Sequence, residues 1–574
     1  MKVERNKTMK KLLSVLLILV LACTLVACSD GDGTPEGMQN VSTENALFNL
    51  YVPASWLAQT DSGVSGARVS NSDASNVTVT TYFPETAMSA AQYWETVCLP
   101  SYRDGGVLQS FTVIEESCKD TTLGGKDAKQ YVFTYVLDGV TYESMQVITA
   151  ASDMMIYTLT YTATSEKYAE HLESVESIRA EFRFRCVMKE IYLDISATTA
   201  LSDAAREAML AAMENYGNPS SLHERGQRAA ALLRASREAV GEALGERHLA
   251  DGQLIFTASG SEANALATLG VAHAKARRGT PVILTTDSEH PSVARNLELL
   301  EREGFRVVRV PTVGGALDMK TVLANCTPDL FMVSMMLVNN ETGAKYPLRE
   351  VFAAAHAANR DCVCHADAVQ GFLKVPMTVK SLGADLVTVS SHKIHGPKGV
   401  GALFVAPHLL KSKRIAAVYG GGGQEYGLRS GTENLVGIAG FAAACREGSA
   451  SFATSFGHMK SLSDRLIAGL ADSEIRVNLP AERAPHILSL TLPSIKSETM
   501  LHFLSARGIY VSSGSACSSH AAHPSAALLG FGLPAAEADT TIRISLCAQN
   551  TNEDIDALLA ALAEGVSSLI RIRR

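Results

Sequence analysis

One lysine stands where it could hold an aldehyde cofactor. Lys393 lies in residues 390–399, with the sequence SSHKIHGPKG, just after a β-branched run. A buried lysine with a lowered pKa forms imines readily, and pyridoxal phosphate enzymes use such a lysine to tether a cofactor that withdraws electrons. A lysine before a Gly-Pro turn is more often a solvated loop residue. The motif therefore needs support from other positions.

Further candidates stand at the ends of other predicted strands. Gly260 and Ser261, in the sequence TASGSEAN of residues 257–264, could present backbone N–H groups and a hydroxyl to a phosphate. His290 could stack on a flat ring and shuttle protons. Asp367 could keep a pyridine nitrogen protonated. Each has a plain alternative as a helix cap, but their common order at strand ends, together with Lys393, predicts one cofactor site.

The elements that would position these residues alternate regularly. From Met188 onward, Ala/Leu-rich helical segments alternate with short β-branched strands at residues 254–257, 282–286, 305–310, 330–333, 362–366 and 386–390. This alternation predicts an α/β fold with a mostly parallel sheet and helices on both faces. Ligands of such sheets lie beyond the carboxyl ends of the strands, which is where the candidate residues fall.

Six motifs carry a family resemblance. They are YLDISATT at residues 192–199, GNPSS at 217–221, VNNETG at 338–343, SHKIHGPKG at 391–399, RSGT at 429–432 and SSGSAC at 512–517. From about Lys189 to the C-terminus the chain resembles the NifS/IscS cysteine desulfurases, which are class-V aminotransferase-like. The resemblance implies a pyridoxal phosphate fold of type I. Its large domain would span residues 205–450, and its small domain residues 188–204 plus 451–574.

The resemblance also implies a role for each matching position. Lys393 would hold pyridoxal 5'-phosphate, Asp367 would contact the pyridine nitrogen, and His290 would stack on the ring and move protons. Asn340 and Gln370 would contact the phenolic side of the cofactor, and Asn340 would also contact substrate. Gly260, Ser261, Ser390 and His392 would cradle the phosphate. Thr432 would reach the phosphate of a neighbouring subunit, so a homodimer is implied, and Arg543 would bind the substrate carboxylate.

Cys517 decides which reaction the resemblance implies. A thiolate on a Gly/Ser-rich stretch can attack the sulfur of L-cysteine, which leaves a persulfide on Cys517 and alanine as product. The sulfur would pass to an acceptor or iron-sulfur scaffold protein. The chain departs from the family pattern at Ile195, Ala200, Ala265 and Cys547. Of these, Cys547 could perturb the substrate pocket or cross-link on oxidation.

Two other functions stay open at this point. One is a selenocysteine lyase or a related pyridoxal phosphate β-lyase, for which Cys517 would not be essential. The other is a lipid-anchored binding protein whose C-terminal part is an inactive passenger with the same fold. The presence of Lys393, Asp367 and Cys517 together argues against the second alternative.

The N-terminal part has a different character. Lys10 and Lys11 precede an apolar run at residues 12–27, and the ending LVAC at residues 25–28 resembles a bacterial lipobox. Residues 1–28 are therefore predicted to be a lipoprotein signal with lipidation of Cys28. Residues 29–46 are predicted to be a polar linker.

Residues 47–186 form a second predicted module. Strands at residues 77–83, 129–137 and 155–162, with helices at 89–97 and 166–178, predict an α+β fold with an antiparallel sheet and helices on one face. The segment loosely resembles the PsbP-like modules of bacterial lipoproteins. It shows no nucleophile with a base partner, so a binding or structural role is predicted.

Composition limits the remaining possibilities. Among 574 residues, 47% are hydrophobic and 19% charged, which predicts a globular chain, and the net charge of -8 disfavours nucleic-acid binding. Eleven cysteines without paired CxxC spacing predict no disulfide scaffold and no metal site. Cys362 and Cys364 are predicted to be buried strand residues. The desulfurase part is predicted to be cytoplasmic, although the lipobox favours anchoring to the cell membrane.

Overall fold

The computed structural model describes residues 34–43, 46–59, 64–84, 86–104, 108–152, 155–185, 189–275, 279–514 and 525–571. The chain divides into two compact units, Met1–Met188 and Lys189–Arg574. The predicted lipidation site Cys28 and the predicted nucleophile Cys517 lie outside the described residues. Within the described residues, none of the helices is long and apolar enough to cross a membrane.

The first unit is built on an antiparallel sheet. Its strands are β1 (Met38–Asn40), β2 (Phe48–Asn49), β3 (Tyr51–Pro53), β4 (Leu57–Ala58), β5 (Ser65–Arg68), β6 (Asn76–Tyr82), β7 (Gln109–Val113), β8 (Lys119–Leu123), β9 (Lys126–Leu137), β10 (Val140–Ser152), β11 (Met155–Thr164) and β12 (Arg183–Phe184). The main sheet has the order β4-β5-β6-β11-β10-β9-β7, with β8 also pairing with β9. Its helices are α1 (Ala90–Tyr93), α2 (Leu99–Asp104) and α3 (Leu172–Glu181).

The prediction that these helices share one face of the sheet is wrong. Val175 and Ile178 of α3 belong to a core that includes Val147 of β10. Ala90 of α1 belongs to a separate core that includes Ile148, the next residue of β10. Successive side chains of a strand point to opposite faces, so the two helices cover opposite faces. The long strands β9, β10 and β11 carry apolar side chains at odd and even positions, and each face needs its own cover.

The second unit contains the elements that build the predicted site. Its strands are β13 (Ile191–Tyr192), β14 (Leu254–Thr257), β15 (Val282–Thr286), β16 (Arg306–Val310), β17 (Leu330–Met336), β18 (Val363–Asp367), β19 (Leu386–Ser390), β20 (Gly401–Val405), β21 (Arg476–Asn478), β22 (Ile487–Thr491), β23 (Ile509–Tyr510) and β24 (Thr541–Ser545). Its helices are α4 (Asp203–Met213), α5 (Glu224–Ala243), α6 (Gly260–Ala272), α7 (Pro291–Arg302), α8 (Met319–Asn325), α9 (Leu348–Ala358), α10 (Val379–Leu382), α11 (Pro407–Lys411), α12 (Leu435–Gly469), α13 (Ser497–Ser505), α14 (Ala526–Gly530), α15 (Ala535–Ala538) and α16 (Asn552–Ser568).

A seven-stranded sheet organises this unit, in the order β14-β20-β19-β18-β17-β15-β16. The pairs among β15, β16, β17, β18 and β19 are parallel, whereas β20 is antiparallel to both β14 and β19. Apolar cores that include residues of this sheet line both of its faces. The α/β fold with a mostly parallel sheet is confirmed. The structure adds one strand that no sequence pattern predicted, the antiparallel strand β20.

A smaller sheet follows the large one. Strands β21, β22 and β24 pair antiparallel, and β13 pairs in parallel with β23. Helix α12 joins the two cores, because Phe441 packs in the core of the large sheet and Leu466 packs with the small sheet. The predicted domain boundary at residue 450 falls inside this helix. Arg543, in the middle of β24, reaches from the small sheet to the carboxyl edge of the large one.

Candidate active site

One cavity of about 190 Å³ lies at the carboxyl edge of the seven-stranded sheet. It collects side chains that follow β14, β15, β17, β18 and β19, because the carboxyl ends of these strands meet at one edge. Ten of the predicted site residues line it: Gly260, Ser261, His290, Asn340, Asp367, Gln370, Ser390, His392, Lys393 and Arg543. Thr432 does not line this cavity and is exposed.

Lys393 is the last residue of the 3₁₀ turn that follows β19. Its Nζ donates to the carbonyl oxygens of Ser196 at 2.6 Å and Ala197 at 2.7 Å. These carbonyls belong to the segment after β13, which sequence analysis recognised only as part of a motif. These two backbone carbonyls help to hold the amine at the cavity.

Asp367 is the last residue of β18 and is buried. Its Oδ2 accepts from Asn264 Nδ2 at 2.7 Å, and its Oδ1 accepts the backbone N–H of Val369 at 3.0 Å. These two hydrogen bonds, one to each oxygen, fix the orientation of the Asp367 carboxylate. A carboxylate fixed in this way can accept a further hydrogen bond from a protonated ring nitrogen.

A hydrogen-bonded chain connects Asp367 with His290. Asn264 Nδ2 also donates to Ser292 Oγ at 2.9 Å, and Ser292 Oγ lies 2.7 Å from His290 Nδ1. The backbone N–H of Ser292 donates to the same Nδ1 at 3.1 Å. Since Nδ1 accepts, the proton of neutral His290 resides on Nε2. Asn264 and Ser292 are site residues that sequence analysis missed, although Asn264 stands in the motif at residues 257–264.

Burial sets the protonation of the two histidines of the cavity. It lowers the pKa of His290 below its ordinary value, an effect that the charge of Asp367 opposes and that of Lys393 reinforces. Burial, together with the charges of Lys393, Lys398 and Lys374, lowers the pKa of His392 to about 4. Both rings are therefore neutral at neutral pH.

The backbone at the start of α6 packs closely against neighbouring residues. Ser259 caps the helix by accepting from the N–H of Glu262, and Gly260 is the first helical residue. A Cβ at Gly260 would lie 2.9 Å from Val369 Cγ2 and 3.3 Å from Ser390 Cβ. Only glycine fits there without displacing these neighbours. The helix N-terminus thus presents free N–H groups to the cavity, as anion sites require.

Several buried polar atoms of the cavity have no partner within the described residues. They are Ser390 Oγ, Gln370 Oε1, Asn264 Oδ1, Ser196 Oγ and Arg543 Nε. Buried polar groups are normally hydrogen-bonded, and an unsatisfied one costs roughly 1 to 3 kcal/mol. Their concentration in one cavity fits a polar ligand that supplies the missing partners.

Arg543 enters the cavity from the small sheet and is 2% exposed. Its Nη2 donates to Asp194 Oδ1 at 2.6 Å, and its Nη1 donates to the carbonyl oxygen of Asn340 at 3.0 Å. Asp194 is another contact that sequence analysis did not single out. These two bonds aim the planar guanidinium, which is suited to bidentate recognition of a carboxylate.

Glu341 stands between the two described residues that flank the segment carrying Cys517. Its Oε2 accepts from Ser525 Oγ at 2.6 Å, and a Cβ at Gly514 would lie 3.1 Å from the same oxygen. Gly514 has φ of +114°, a conformation that favours glycine. Burial raises the pKa of Glu341.

A second, smaller cavity adjoins Lys393 on its other side and contains Lys374 and Cys547. Within the described residues, Lys374 Nζ has no hydrogen-bond partner, and burial and the charge of Lys393 lower its pKa to about 7. Cys547 Sγ lies 3.5 Å from Asn550 Oδ1. Cys547 thus borders this adjoining cavity and does not line the one that holds Arg543.

Comparison with known proteins identifies relatives of the second unit. The profile of the aminotransferase class-V family matches residues 191–558. The chain is 36% identical over 381 residues to the cysteine desulfurase IscS of Clostridium botulinum, which covers 65% of this chain and 94% of the relative. It is 34% identical over 387 residues to the cysteine desulfurase NifS of Azotobacter vinelandii, covering 67% of this chain and 94% of the relative.

A solved structure shows the same arrangement of elements. It is that of a NifS-like protein, which superposes with a TM-score of 0.61 at 33% sequence identity. The match covers 66% of this chain and all of the solved chain.

Proposed function

Because the chain belongs to the class-V aminotransferase family, and within it to the NifS/IscS cysteine desulfurases, we propose that it removes sulfur from L-cysteine. The family depends on pyridoxal phosphate. The products would be L-alanine and a persulfide on Cys517. The single observation that carries the proposal is the convergence of Lys393, Asp367, His290 and Arg543 on one cavity.

The residues of the cavity fit pyridoxal 5'-phosphate. Lys393 would tether it, and Asp367, aimed by Asn264, would contact its ring nitrogen. His290 would lie against the ring. The unpartnered Gln370 Oε1, with Asn340, would face the phenolic side, and the unpartnered Ser390 Oγ would meet the phosphate. Gly260 and Ser261 at the start of α6, together with His392, would complete the phosphate cradle. When bound, this cofactor supplies an electron sink that weakens the bonds at the substrate's α and β carbons.

The chain's own groups would perform the remaining tasks. Arg543 would bind the substrate carboxylate and so fix the orientation of L-cysteine. The Lys393 amine and His290 would move protons to and from the substrate carbons. The preset Nε2–H tautomer of His290 leaves that proton facing away from the Ser292 contact.

Cys517 would accept the sulfur. Its thiolate attacks the substrate sulfur, a new S–S bond forms, and the carbon-sulfur bond breaks with its electron pair remaining on the carbon skeleton, which is protonated to alanine. The persulfide would pass to a sulfur-acceptor or iron-sulfur scaffold protein. Glu341 accepts a hydrogen bond from Ser525, which follows the Cys517 segment, and its carboxylate leaves little room for a side chain at Gly514, which precedes that segment.

The experiment combines spectroscopy with product analysis. The full chain is purified, and its visible cofactor absorption is recorded before L-cysteine is added and alanine and sulfide are quantified. Wild type is expected to show the band and to form both products, whereas Cys517→Ala keeps the band and forms neither. Undiminished alanine formation by Cys517→Ala would favour the selenocysteine lyase alternative. A chain without the band, even after cofactor addition, would favour the inactive passenger.

The assembly and location of the protein are parts of this proposal. Exposed Thr432 would contact the phosphate bound by a second subunit, so a homodimer is expected by sedimentation. The desulfurase part would act in the cytoplasm, with residues 1–28 as a lipoprotein signal acylated at Cys28 if that signal is used. The first unit keeps its predicted PsbP-like binding or structural role. Cell fractionation with intact-mass measurement tests the location and the acylation. If the full-length acylated product were the sole species found, the cytoplasmic location would be contradicted.

A further inference from the structure

A second group of ligand-type side chains lies at the amino edge of the seven-stranded sheet, opposite the cavity. Cys364 is near the start of β18, Asp385 directly precedes β19, and His356 is in the last turn of α9. We propose that His356, Cys364 and Asp385 form a binding site for Zn²⁺. This site is separate from the proposed desulfurase function and does not rest on it.

The distances suit one small cation. One nitrogen of His356, the thiol sulfur of Cys364 and one oxygen of Asp385 all lie within 4.8 Å of one another. The closest measured pair, His356 Nε2 and Asp385 Oδ2, is 3.0 Å apart. Ligand atoms of a tetrahedral zinc ion are separated by roughly 3.3 to 3.8 Å, given bond lengths of about 2.0 to 2.3 Å. The separations in the metal-free structure are thus near those of a tetrahedral ion, and binding would adjust them by about an ångström.

A fourth ligand stands nearby. His408, in α11, has its Nε2 3.5 Å from Asp385 Oδ1 and an exposed side chain. It could complete the tetrahedron by a change of rotamer, and water could do so in its place. The histidine side of the cluster is open, since the His356 side chain is 35% exposed, whereas Cys364 is fully buried. The proposed site is therefore closest to solvent at its histidine side.

The surroundings hold the ligands in place. The backbone N–H of Cys364 donates to Asp385 Oδ2 at 2.7 Å, and the backbone N–H of Asp385 donates to the Cys364 carbonyl at 2.8 Å. The hydrogen bond to Asp385 raises the pKa of His356, and the backbone of Cys362 raises it further. Metal-binding histidines usually donate their second ring N–H to a backbone carbonyl or to a carboxylate. The pairing of β18 with β19 thus preorganises two of the three ligands.

The donor set selects the class of cation. A thiolate with an imidazole and a carboxylate suits zinc and disfavours Mg²⁺ or Ca²⁺, which require oxygen ligands. Burial raises the pKa of the Cys364 thiol well above its ordinary value, so the metal-free site holds the protonated thiol. Binding would release that proton to solvent as the sulfur-metal bond forms. None of the three residues lines the cavity with Lys393.

The test uses the full chain carrying Cys517→Ala, which removes the competing thiol of the proposed active site. Zn²⁺ is added, excess is removed by gel filtration, and bound zinc is quantified together with its X-ray absorption spectrum. One equivalent with one sulfur and two or three nitrogen or oxygen neighbours is expected. The Asp73, Glu170 and His171 cluster of the first unit is the other candidate group among the described residues, and it contains no sulfur.

Matched substitutions assign the site. Cys364→Ala is expected to lose the sulfur neighbour and to weaken zinc binding at least tenfold. Cys445→Ala, which removes an equally buried thiol from α12, is expected to retain both. Far-UV circular dichroism and thermal unfolding report whether each variant folds. His356→Gln, which leaves the thiol in place, is a second probe and is expected to weaken binding as well. Zinc binding that is unchanged in Cys364→Ala, or absent from the parent chain, would overturn the proposal.

Discussion

The two edges of the seven-stranded sheet carry polar clusters of opposite character. At the carboxyl edge, Ser390, Gln370 and Asn264 leave buried polar atoms without partners among the described residues. At the amino edge, both oxygens of Asp385 are taken by His356, His408 and the Cys364 N–H. The same strand, β18, contributes Cys364 to one edge and Asp367 to the other.

The polar groups of the carboxyl edge fit a site that takes a polar ligand, whereas the polar groups of the amino edge satisfy one another. Unsatisfied buried groups cost stability and persist where a ligand compensates them. A satisfied cluster needs no ligand to be stable, and a cation would have to displace protons from it. We therefore expect substitutions at the carboxyl edge to lower turnover and substitutions at the amino edge to leave it nearly intact.

The largest effect is expected from the choice between the neighbouring lysines Lys393 and Lys374. Lys393→Met should abolish the cofactor band and lower cysteine desulfuration by about 10³-fold or more, because the tether and a proton-transfer group are lost together. Lys374→Met is the control, since Lys374 is a buried lysine that borders the adjoining cavity and does not line the one with Asp367. It should retain the band. Absorption spectra and alanine assays check both. A band that survives in Lys393→Met and disappears in Lys374→Met would reassign the tether.

A smaller effect is expected at the substrate end of the cavity. Arg543→Lys should raise KM for L-cysteine about 10- to 100-fold with a lesser change in kcat, because an ammonium cannot reproduce the bidentate contact. Asp194→Asn, which weakens only the bond that aims the guanidinium, should change KM less. Steady-state kinetics on both variants provide the measurement. An unaltered KM in Arg543→Lys would remove Arg543 from carboxylate binding.

The chain of hydrogen bonds through Asn264 should matter next. Asn264→Ala would leave Asp367 and Ser292 without their shared donor, and kcat should fall about tenfold, which corresponds to about 1.4 kcal/mol. As a positioning residue it should also shift the acidic limb of the pH profile of kcat, since the environment of His290 changes. A lower kcat with an unshifted profile would indicate a general structural role.

The strands of the carboxyl edge were largely predictable from sequence. Leu254–Thr257, Val282–Thr286 and Leu386–Ser390 occur with the predicted bounds, because short buried runs of β-branched and aliphatic residues end at polar turn residues. β17 extends three residues further, through Ser334, Met335 and Met336, which are weak strand formers. β20 begins at Gly401, directly after the lysine motif. Its backbone passes so close to Ser259 that a Cβ at Gly401 would lie 2.5 Å from the Ser259 carbonyl carbon.

Contacts between distant segments were not predictable. Asn264 and Asp194 contact Asp367 and Arg543, which lie far away in sequence, and Ser292 joins this network through Asn264. Their residue types are common at helix starts and strand ends. At the amino edge, the spacing of Cys362 and Cys364 pointed only to buried strand residues, and both are buried. His356, Asp385 and His408 join Cys364 through the packing of α9, β19 and α11, which no local pattern reveals. Asp367 and Lys393, by contrast, stand in motifs that the family resemblance covers.

A modest effect on stability is expected from a buried histidine outside both clusters. His486 is fully buried, and burial together with the charge of Lys374 lowers its pKa well below 6.5. The unfolded state therefore binds the proton first, and the free energy of unfolding should fall as the pH drops below about 6.5. Between pH 7.5 and 5.5 this histidine should contribute about 1.4 kcal/mol.

His486→Leu provides the check on that contribution. Denaturant unfolding of the variant and of wild type at the two pH values should show a smaller pH dependence in the variant. Because only the difference between pH values is compared, a constant change in packing does not enter. Equal pH dependence in the two proteins would show that His486 is not the group responsible.

The smallest effect on turnover is expected at the amino edge. Cys364→Ala removes a buried sulfur from the start of β18, so it should lower the free energy of unfolding by about 1 kcal/mol. Turnover in zinc-free buffer should stay within about twofold of wild type, because Asp367 at the other end of the strand keeps its bonds to Asn264 and Val369. Desulfurase assays with thermal unfolding measure both quantities. A tenfold loss of turnover without a matching loss of stability would show that β18 couples the two edges, and the amino edge would then have to be counted as part of the active site.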